Sequence, residues 1–337
     1  MRVLLTGGSG FLGAHCVDCL LRGGHSVVFT VRSKEKGERI LGNYPTVSSN
    51  GLSYVIVEDI AKEDAFDTAV KSNPPFEAVL HTASPYHFRI TDPKTDLLDP
   101  AIFGTIGILK SIKKNAPTVK RVAITSSFAA MVTVKAHPKI YDESMWNNVT
   151  WDEALHTDVY TAWRSSKTFA EKAAWEFFEK EKPNFQISTI NPPLVFGPVV
   201  HYFNGMDNIN TSNERIRDMI QGKMKEKLAP TGIFIWVDVR DVALAHVRAI
   251  EISEAAGQRF LCTAGFYSNA EIANVIKKNF PDLKEKLPAS YESDLDINHK
   301  PFDVDNSRSK EVLRLKYKPI EESITDTVKS LLGIAMS

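Results

Sequence analysis

Apolar and polar positions follow two alternating patterns along the first half of the chain. Short runs rich in β-branched residues predict strands, for example RVLLT at 2–6, SVVFTV at 26–31 and RVAIT at 121–125. Stretches with helical periodicity, such as FLGAHCVDCLLR at 11–22, lie between them. Because nearly continuous apolar strands alternate with helices, the pattern predicts a parallel sheet covered by helices on both faces.

The pattern becomes irregular after the Pro- and Gly-rich segment NPPLVFGP, which ends at residue 198. We therefore predict an α/β fold in which residues 1–198 form a doubly wound parallel sheet of Rossmann type, with later segments returning to it. Residues 199–337 are predicted to form mainly a smaller, substrate-binding lobe. No stretch with the composition of a linker separates the two parts, so we expect the C-terminal lobe to be interleaved with the sheet domain.

Charge and composition narrow the class of partner. Lys and Arg together number 41, as do Asp and Glu, and no long run of one sign occurs. We therefore expect a small-molecule partner, and no nucleic acid or membrane. No apolar run reaches the ~20 residues that cross a bilayer, and the first predicted strand begins at Arg2, which leaves no room for a signal peptide. We expect a cytoplasmic protein, either a monomer or a homodimer.

The three cysteines do not predict a metal centre. Cys16 and Cys19 lie within the first predicted helix, and no second cysteine pair completes a zinc site. We interpret them as two thiols on adjacent helical turns and predict no bound metal.

Three glycines mark the turn between the first strand and the first helix. Gly7, Gly10 and Gly13 have the spacing G-x-x-G-x-x-G. A side chain there would block the tight turn and keep backbone N–H groups away from a pyrophosphate at the helix N-terminus. Such triplets also occur in ordinary turns, but this one opens the first predicted βαβ unit, which predicts dinucleotide binding.

The end of the second predicted strand indicates which dinucleotide binds. A site for NAD has a carboxylate there, which accepts hydrogen bonds from the ribose hydroxyls. This chain has Arg32 instead, followed by Lys34 and Lys36, and cationic side chains complement a 2′-phosphate. We interpret Lys34 as a solvated surface residue, and Arg32 and Lys36 as contacts for NADPH.

Several motifs together resemble the extended short-chain dehydrogenase/reductases. They are the glycine spacing, VLHTASP at 79–85, AITSSFAA at 123–130, NPPLVFGP at 191–198, DVRDVALAH at 238–246 and the C-terminal DNSRSKEVLRLKYKP. Within that family the chain resembles the yeast and fungal NADPH-dependent aldehyde/ketone reductases of the methylglyoxal type, which are related to dihydroflavonol reductases. The resemblance implies a Rossmann domain with the nicotinamide in the cleft beneath the small lobe.

The resemblance also implies further contacts. The residues implied to contact NADPH, besides the glycines, Arg32 and Lys36, are Phe11, Leu12, Asp59, Ile60, Thr82, Ala83, Ser84, Lys167, Pro192 and Val195. Asp59 and Ile60 would flank the adenine, and residues 192–195 would border the nicotinamide amide. The residues implied to face the substrate are Tyr86, Phe128, Val132, Trp163 and Leu194. For all of these except Trp163, packing in the core is an alternative.

The chemistry of the family uses a serine, a tyrosine and a lysine. By resemblance, Ser127 hydrogen-bonds the substrate oxygen, while Lys167 holds the nicotinamide ribose and lowers the pKa of a proton-donating tyrosine. Ser127 also follows a predicted strand, where open α/β sheets bind their ligands. The tyrosine of the family precedes the lysine by four residues, and the residue at that position in this chain is Trp163.

Two aromatic residues lie near the position of the missing tyrosine. The indole N–H of Trp163 can donate a hydrogen bond to an oxyanion beside Ser127, but it does not release a proton at neutral pH. Tyr160 shares the helical face of Lys167. It lies roughly 4.5 Å along the axis from position 163, and helical side chains lean toward the N-terminus, away from the lysine. Tyr160 therefore stays a candidate substitute donor.

Three functions remain open on the sequence. The first, which we predict, is an NADPH-dependent carbonyl reductase. Loss of a general acid costs ~10²–10⁴-fold in rate, so such a reductase would be slower than its relatives, with its proton supplied by water or Tyr160. Otherwise, Trp163 is an introduced change in an ordinary reductase. The second is an imine or iminium reductase, whose cationic substrate accepts hydride without a proton and is attracted by an aromatic face. The third is a nucleotide-binding protein without redox activity, which acts as a binding protein or a non-redox biosynthetic catalyst, or is a catalytically impaired variant.

Overall fold

The computed structural model describes residues 1–84, 91–133, 136–200, 205–206, 209–295 and 300–336. The strands are β1 (Arg2–Thr6), β2 (Ser26–Val31), β3 (Leu52–Ile56), β4 (Ala78–His81), β5 (Arg121–Thr125), β6 (Ile140–Tyr141), β7 (Gln186–Asn191), β8 (Leu194–Phe196), β9 (Ile235–Asp238), β10 (Arg259–Leu261), β11 (Gly265–Phe266) and β12 (Asp303–Val304). The α-helices are α1 (Phe11–Arg22), α2 (Lys34–Gly42), α3 (Asp99–Asn115), α4 (Trp151–Leu155), α5 (Val159–Glu181), α6 (Thr211–Ile220), α7 (Val239–Glu251), α8 (Asn269–Asn279), α9 (Ser307–Glu311) and α10 (Ile320–Met336).

Seven of the strands form one sheet, in the order β3–β2–β1–β4–β5–β7–β10. All of its pairings are parallel. The order runs outward in both directions from the pair β1 and β4, so the crevice between their carboxyl ends is the switch point at which open α/β sheets bind their ligands. The predicted α/β fold with a doubly wound parallel sheet is confirmed.

Helices cover both faces of this sheet. Helices α1 and α7 pack together on one face, and α3 and α5 pack together on the other. Along β1, Val3 and Leu5 lie in the core beneath α1 and α7, whereas Leu4 lies in the core beneath α3 and α5. All three side chains are fully buried. Burial on both faces explains why the strands are continuous apolar runs in the sequence.

A second layer of structure encloses its own core. The three-stranded sheet β11–β9–β8 packs with α6, α8 and α10 around a cluster that includes Phe196, Trp236 and Tyr267. Strand β8 precedes residue 198 but belongs to this small sheet, and β10 follows residue 198 but joins the large one. The chain therefore crosses between the two sheets more than once, and the domain boundary at 198 stays a prediction.

Helix α1 contains both Cys16 and Cys19, three residues apart, as free thiols. It ends at Arg22, and Gly24, two residues later, has a φ of +75°, which is typical of the glycine that ends a helix. Burial raises the pKa of the half-buried Cys19 thiol to about 11, and it raises the pKa of Cys16 as well. Neither residue is therefore a thiolate at neutral pH.

The residues that the structure describes contain neither a membrane-spanning helix nor a cluster of metal ligands. Within them, no helix combines the length and the apolar character that crossing a bilayer requires. Nor does any group of three or more His, Cys, Asp or Glu side chains among those residues have the arrangement of a metal site.

Candidate active site

The turn between β1 and α1 excludes side chains at two of its glycines. Gly7 has a φ of +76°, and a Cβ there would lie 2.9 Å from the Cα of Ala83. A Cβ at Gly13 would lie 2.1 Å from the carbonyl oxygen of Gly7. Because Gly10 is the N-cap of α1, no capping side chain covers the first amides of the helix. The turn is therefore a backbone cradle into which a pyrophosphate fits.

The segment after β4 packs directly against this cradle. The hydroxyl of Thr82 donates to the carbonyl oxygen of Thr6 over 2.6 Å, and the N–H of Ala83 donates to the hydroxyl of Thr6 over 3.1 Å. Phe11 and Leu12 open α1 and are half-buried, Phe11 against the core of the small sheet and Leu12 against a core of the large sheet. The predicted contacts from β1, α1 and β4 thus meet at the switch point.

Two cations lie together at the end of β2. Arg32 is exposed directly after the strand, and Lys36 lies in the first turn of α2. The hydroxyl of Ser33 caps this helix by accepting from the N–H of Lys36 over 3.4 Å. Burial, and then the charge of Arg32, lower the pKa of the Lys36 ammonium. An anion between the two side chains would relieve this repulsion, so the pair fits a 2′-phosphate.

The two residues implied to flank the adenine lie just after β3. Asp59 is exposed, and its carboxylate accepts from the N–H of Ala61 over 2.9 Å. Ile60 is half-buried and packs beside Gly104 of α3, where a Cβ would lie 3.2 Å from its Cδ1. The end of β3 is thus tied to α3 at the same carboxyl edge of the sheet as the glycine turn.

Helix α5 presents the predicted catalytic side chains on one face. Tyr160, Trp163 and Lys167 are spaced three or four residues apart and therefore form one stripe, which Glu171 extends by one turn. The helix begins after Asp158, whose carboxylate accepts from the N–H of Tyr160 over 2.9 Å. Tyr160 lies in this first turn and is 62% exposed. Trp163 is half-buried, one turn before Lys167.

The ammonium group of Lys167 is held beside the cofactor crevice. Its Nζ donates to the hydroxyl of Ser84 over 2.7 Å, which joins α5 to the segment that follows β4. Burial lowers the pKa of Lys167 to about 8. Burial, and then the charge of Lys167, lower the pKa of His81 to about 3, so the imidazole at the end of β4 is neutral at physiological pH.

Ser127 lies where β5 ends. It is 8% exposed, and its hydroxyl accepts from the N–H of Ala129 over 3.1 Å. The same hydroxyl donates to the carbonyl oxygen of Pro192 over 3.5 Å, and the N–H of Phe128 donates to that oxygen over 2.9 Å. The serine and the segment that is implied to border the nicotinamide are therefore direct neighbours.

A comparison with known families agrees with this arrangement. The model of the family described as NAD dependent epimerase/dehydratase matches residues 3–262. The chain belongs to this family.

Three known proteins are similar to this one over nearly the whole chain. A ketoreductase of Aspergillus niger is 49% identical over 332 residues, which cover 98% of this chain and 97% of the relative. A putative NADPH-dependent methylglyoxal reductase of Candida albicans is 41% identical and covers 98% of both chains. The crystal structure of yeast methylglyoxal/isovaleraldehyde reductase complexed with NADPH superposes with a TM-score of 0.92, at 34% identity, over 100% of this chain and 99% of that one. The resemblance stated from the motifs is confirmed.

Apart from Trp163 on α5, the predicted substrate contacts lie just after Ser127, in strand β8 or outside the described residues. Phe128 is 4% exposed, and its ring meets that of Tyr141 edge to face with centroids 5.1 Å apart. Val132 packs against the buried cluster that contains Phe128 and Tyr141. Leu194 and Val195 are half-buried in β8, and the N–H of Val195 donates to the hydroxyl of Ser212 over 3.3 Å. Tyr86 falls outside the described part of the chain. These roles stay predictions.

One acidic residue on the same face of α5 as Lys167 was not predicted from the sequence. Glu171 is fully buried, although an acidic residue in an amphipathic helix is usually solvated. Its only signal in the sequence is its position, four residues after Lys167 on the same stripe. Its partners include Arg259, which is 88 residues away along the chain. Only the fold brings these two residues together.

Proposed function

We propose that this protein is an NADPH-dependent reductase that transfers a hydride to the carbonyl carbon of a small aldehyde or ketone. The observation that supports it most strongly is the similarity, over 98% of the chain, to proteins named as a ketoreductase and an NADPH-dependent methylglyoxal reductase. The names of these relatives also favour carbonyl reduction over the iminium and non-redox alternatives. Because fold alone does not define a reaction, the residues of the site have to fit it as well.

The cofactor-binding side chains and backbone of the chain fit NADPH. The glycine cradle and the N-terminus of α1 would take the pyrophosphate, and Arg32 with Lys36 would take the 2′-phosphate. Lys167 would donate to the nicotinamide ribose, and the segment beginning at Pro192 would border the carboxamide. Bound there, NADPH supplies the hydride. The remaining chemistry belongs to the side chains on β5 and α5.

Ser127 is suited to orient the substrate. Its hydroxyl makes a long contact of 3.5 Å with the carbonyl oxygen of Pro192. A contact of this length is near the limit for a hydrogen bond, so a substrate oxygen at a shorter distance would replace it at little cost. Donation from Ser127 polarises the carbonyl and stabilises the negative charge that develops on its oxygen.

The proton for the new hydroxyl needs a source other than Trp163. The indole N–H is not an acid at neutral pH, and Tyr160 lies at the exposed start of α5. We infer that the ammonium of Lys167 gives up this proton, directly or through the hydroxyl of Ser84 that it contacts over 2.7 Å. With a pKa of about 8, it is a stronger acid than an ordinary lysine, whose pKa is about 10.4. Solvent then returns the proton to Lys167.

A screen for NADPH oxidation tests the proposal. We expect ketones and aldehydes to consume NADPH faster than NADH and to give the corresponding alcohols. Ser127→Ala should lower kcat by about 10²-fold while NADPH still binds with the parental affinity. Turnover of cyclic imines alone would support the iminium alternative. Tight NADPH binding without oxidation by any ketone, aldehyde or imine would support the non-redox alternative.

A further inference from the structure

The carboxylate of Glu171 accepts an unusually large number of hydrogen bonds for a buried group. Its side chain is 0% exposed and lies one turn after Lys167 on α5. Its donors are the Arg259 Nε at 2.6 Å, the Asn191 Nδ2 at 2.7 Å, the Thr189 hydroxyl at 3.0 Å, the Trp175 Nε1 at 3.3 Å and the Ser126 hydroxyl. So many charge-assisted bonds hold the carboxylate in one position.

Two of these donors sit next to residues of the site. Ser126 immediately precedes Ser127, and Asn191 immediately precedes Pro192. Both donate to the same carboxylate oxygen, Oε2. The amide of Asn191 also donates to the backbone carbonyl oxygen of Ser127 over 3.2 Å. A single oxygen atom of Glu171 therefore ties the end of β5 to the end of β7.

The charge of Glu171 is balanced by a cation on the edge strand of the sheet. Arg259 lies on β10, and its Nη1 donates to the backbone carbonyl oxygens of Glu143 and Met145 over 2.7 Å each. The guanidinium also lies over the ring of Trp146, 3.7 Å from its centroid. Because Arg259 is itself held by these contacts, the carboxylate cannot shift toward the strand ends without breaking the ion pair.

We propose that Glu171 is a positioning residue, which sets the distance between Ser127 and the segment beginning at Pro192. This inference rests on the proposed function, in which Ser127 meets the substrate and that segment borders the nicotinamide. The hydroxyl of Ser127 makes only a 3.5 Å contact with Pro192, so this contact does not fix the side chain of Ser127. The backbones of the two strand ends are joined by two hydrogen bonds, from the N–H of Phe128 to Pro192 over 2.9 Å and from the N–H of Ser126 to Ile190 over 2.8 Å. The buried carboxylate adds the side-chain link that holds this arrangement from behind.

Two single-hydroxyl variants test the proposal without exposing the buried ion pair. Ser126→Ala removes the donor beside Ser127, whereas Thr189→Val removes a hydroxyl donor to the other oxygen, Oε1, two residues before the end of β7. We expect similar losses of thermal stability, because both changes remove one bond to the same carboxylate. Only Ser126→Ala should lower kcat, by about tenfold, because it releases the strand end that carries Ser127.

The readouts separate positioning from general stabilisation. Rates are measured far below both melting temperatures, and NADPH affinity is measured by fluorescence titration. Equal kcat values for Ser126→Ala and Thr189→Val, with the parent active, would overturn the inference about Glu171. A parent without reductase activity would instead refute the proposed function, and the two failures are therefore distinguishable.

Changes at Glu171 itself extend the test. A glutamine would turn an N–H₂ group toward donors such as Asn191 and leave Arg259 without its carboxylate partner. Glu171→Gln should therefore lower kcat and NADPH affinity together, each by about tenfold or more, whereas Thr189→Val should leave kcat unchanged. Glu171→Asp keeps the charge and should retain more activity than Glu171→Gln at equal folded fraction. Full kcat in folded Glu171→Gln would contradict the positioning role.

Discussion

The two ends of the cofactor cleft are built from different parts of the polypeptide. At the end formed by β1 and α1, the backbone makes the site, and a Cβ at Gly13 would lie only 2.1 Å from a carbonyl oxygen. At the end formed by α5, single side chains on one stripe make it. A helix tolerates the exchange of one outward side chain, so the position of Trp163 can change while the fold persists. The backbone end tolerates no such exchange.

The largest effect is expected from breaking the backbone end. Gly13→Ala should weaken NADPH binding by ~10²–10³-fold, because the added Cβ forces the turn apart and displaces the amides that face the pyrophosphate. Gly333→Ala is a matched control in a helix, since among the described residues no atom outside its own stretch of helix lies within 4 Å of the added Cβ. Titration with NADPH and thermal melting compare the two. Parental affinity in folded Gly13→Ala would show that the turn does not carry the pyrophosphate.

At the end of the cleft formed by α5, one substitution should instead increase the reductase activity. Trp163→Tyr restores the tyrosine, lysine and serine set, and the smaller phenol occupies space that the indole fills. Ketone reduction should rise by ~10²-fold, mostly in kcat, because a positioned acid is added one turn from Lys167. Tyr160→Phe in the parent is the control and should leave the rate unchanged if Tyr160 is not the donor. A parent that gains nothing from Trp163→Tyr would show that position 163 is not the proton-donor site.

A smaller effect is expected from removing the cation that is proposed to bind the 2′-phosphate. Arg32→Ala should weaken NADPH binding by roughly 30-fold and leave NADH binding unchanged, because only the phosphate meets the guanidinium. Lys34→Ala, two residues further on, is the control and should change neither affinity much. Equal loss for both cofactors would assign Arg32 to some other part of the dinucleotide.

The mildest test varies pH. The pKa of Lys167 is lowered to about 8 by burial, so its acid form is present below that pH and is lost as the pH rises through it. If Lys167 supplies the proton, kcat should fall by about tenfold per pH unit above pH 8. Lys167→Arg keeps the charge but does not titrate there. The Lys167→Arg variant should be slower than the parent, and its kcat should not fall above pH 8. A parental kcat that stays constant above pH 8 would exclude Lys167 as the donor.

Features set by local pattern were predictable from the sequence. The alternation of apolar runs and helical stretches is sufficient for the sheet, because burial on both faces favours apolar residues along most of each strand. The glycine turn was predictable because its requirement is steric and lies within seven residues, from Gly7 to Gly13. The position of Arg32 was predictable because it follows directly after the predicted strand β2 in the sequence.

Features that depend on distant partners were not predictable in this way. The contact between Lys167 and Ser84 joins residues 83 positions apart, and Glu171 meets Arg259 at a separation of 88. No periodicity specifies such pairs, since they follow from the order of strands in the sheet. In the sequence Glu171 is one of four glutamates in a helix with mixed polarity, and its burial in the fold distinguishes it from the others.

The late position of β10 in the chain has a consequence for biosynthesis. This strand, at Arg259–Leu261, is the outermost strand beside β7 and supplies the cation for a carboxylate on a helix made some eighty residues earlier. A nascent chain that has emerged only as far as α7 therefore has a charged group in its interior without a counter-ion. Such non-local closure raises the contact order and slows folding. The sheet can be completed only after Leu261, the last residue of β10, has left the ribosome.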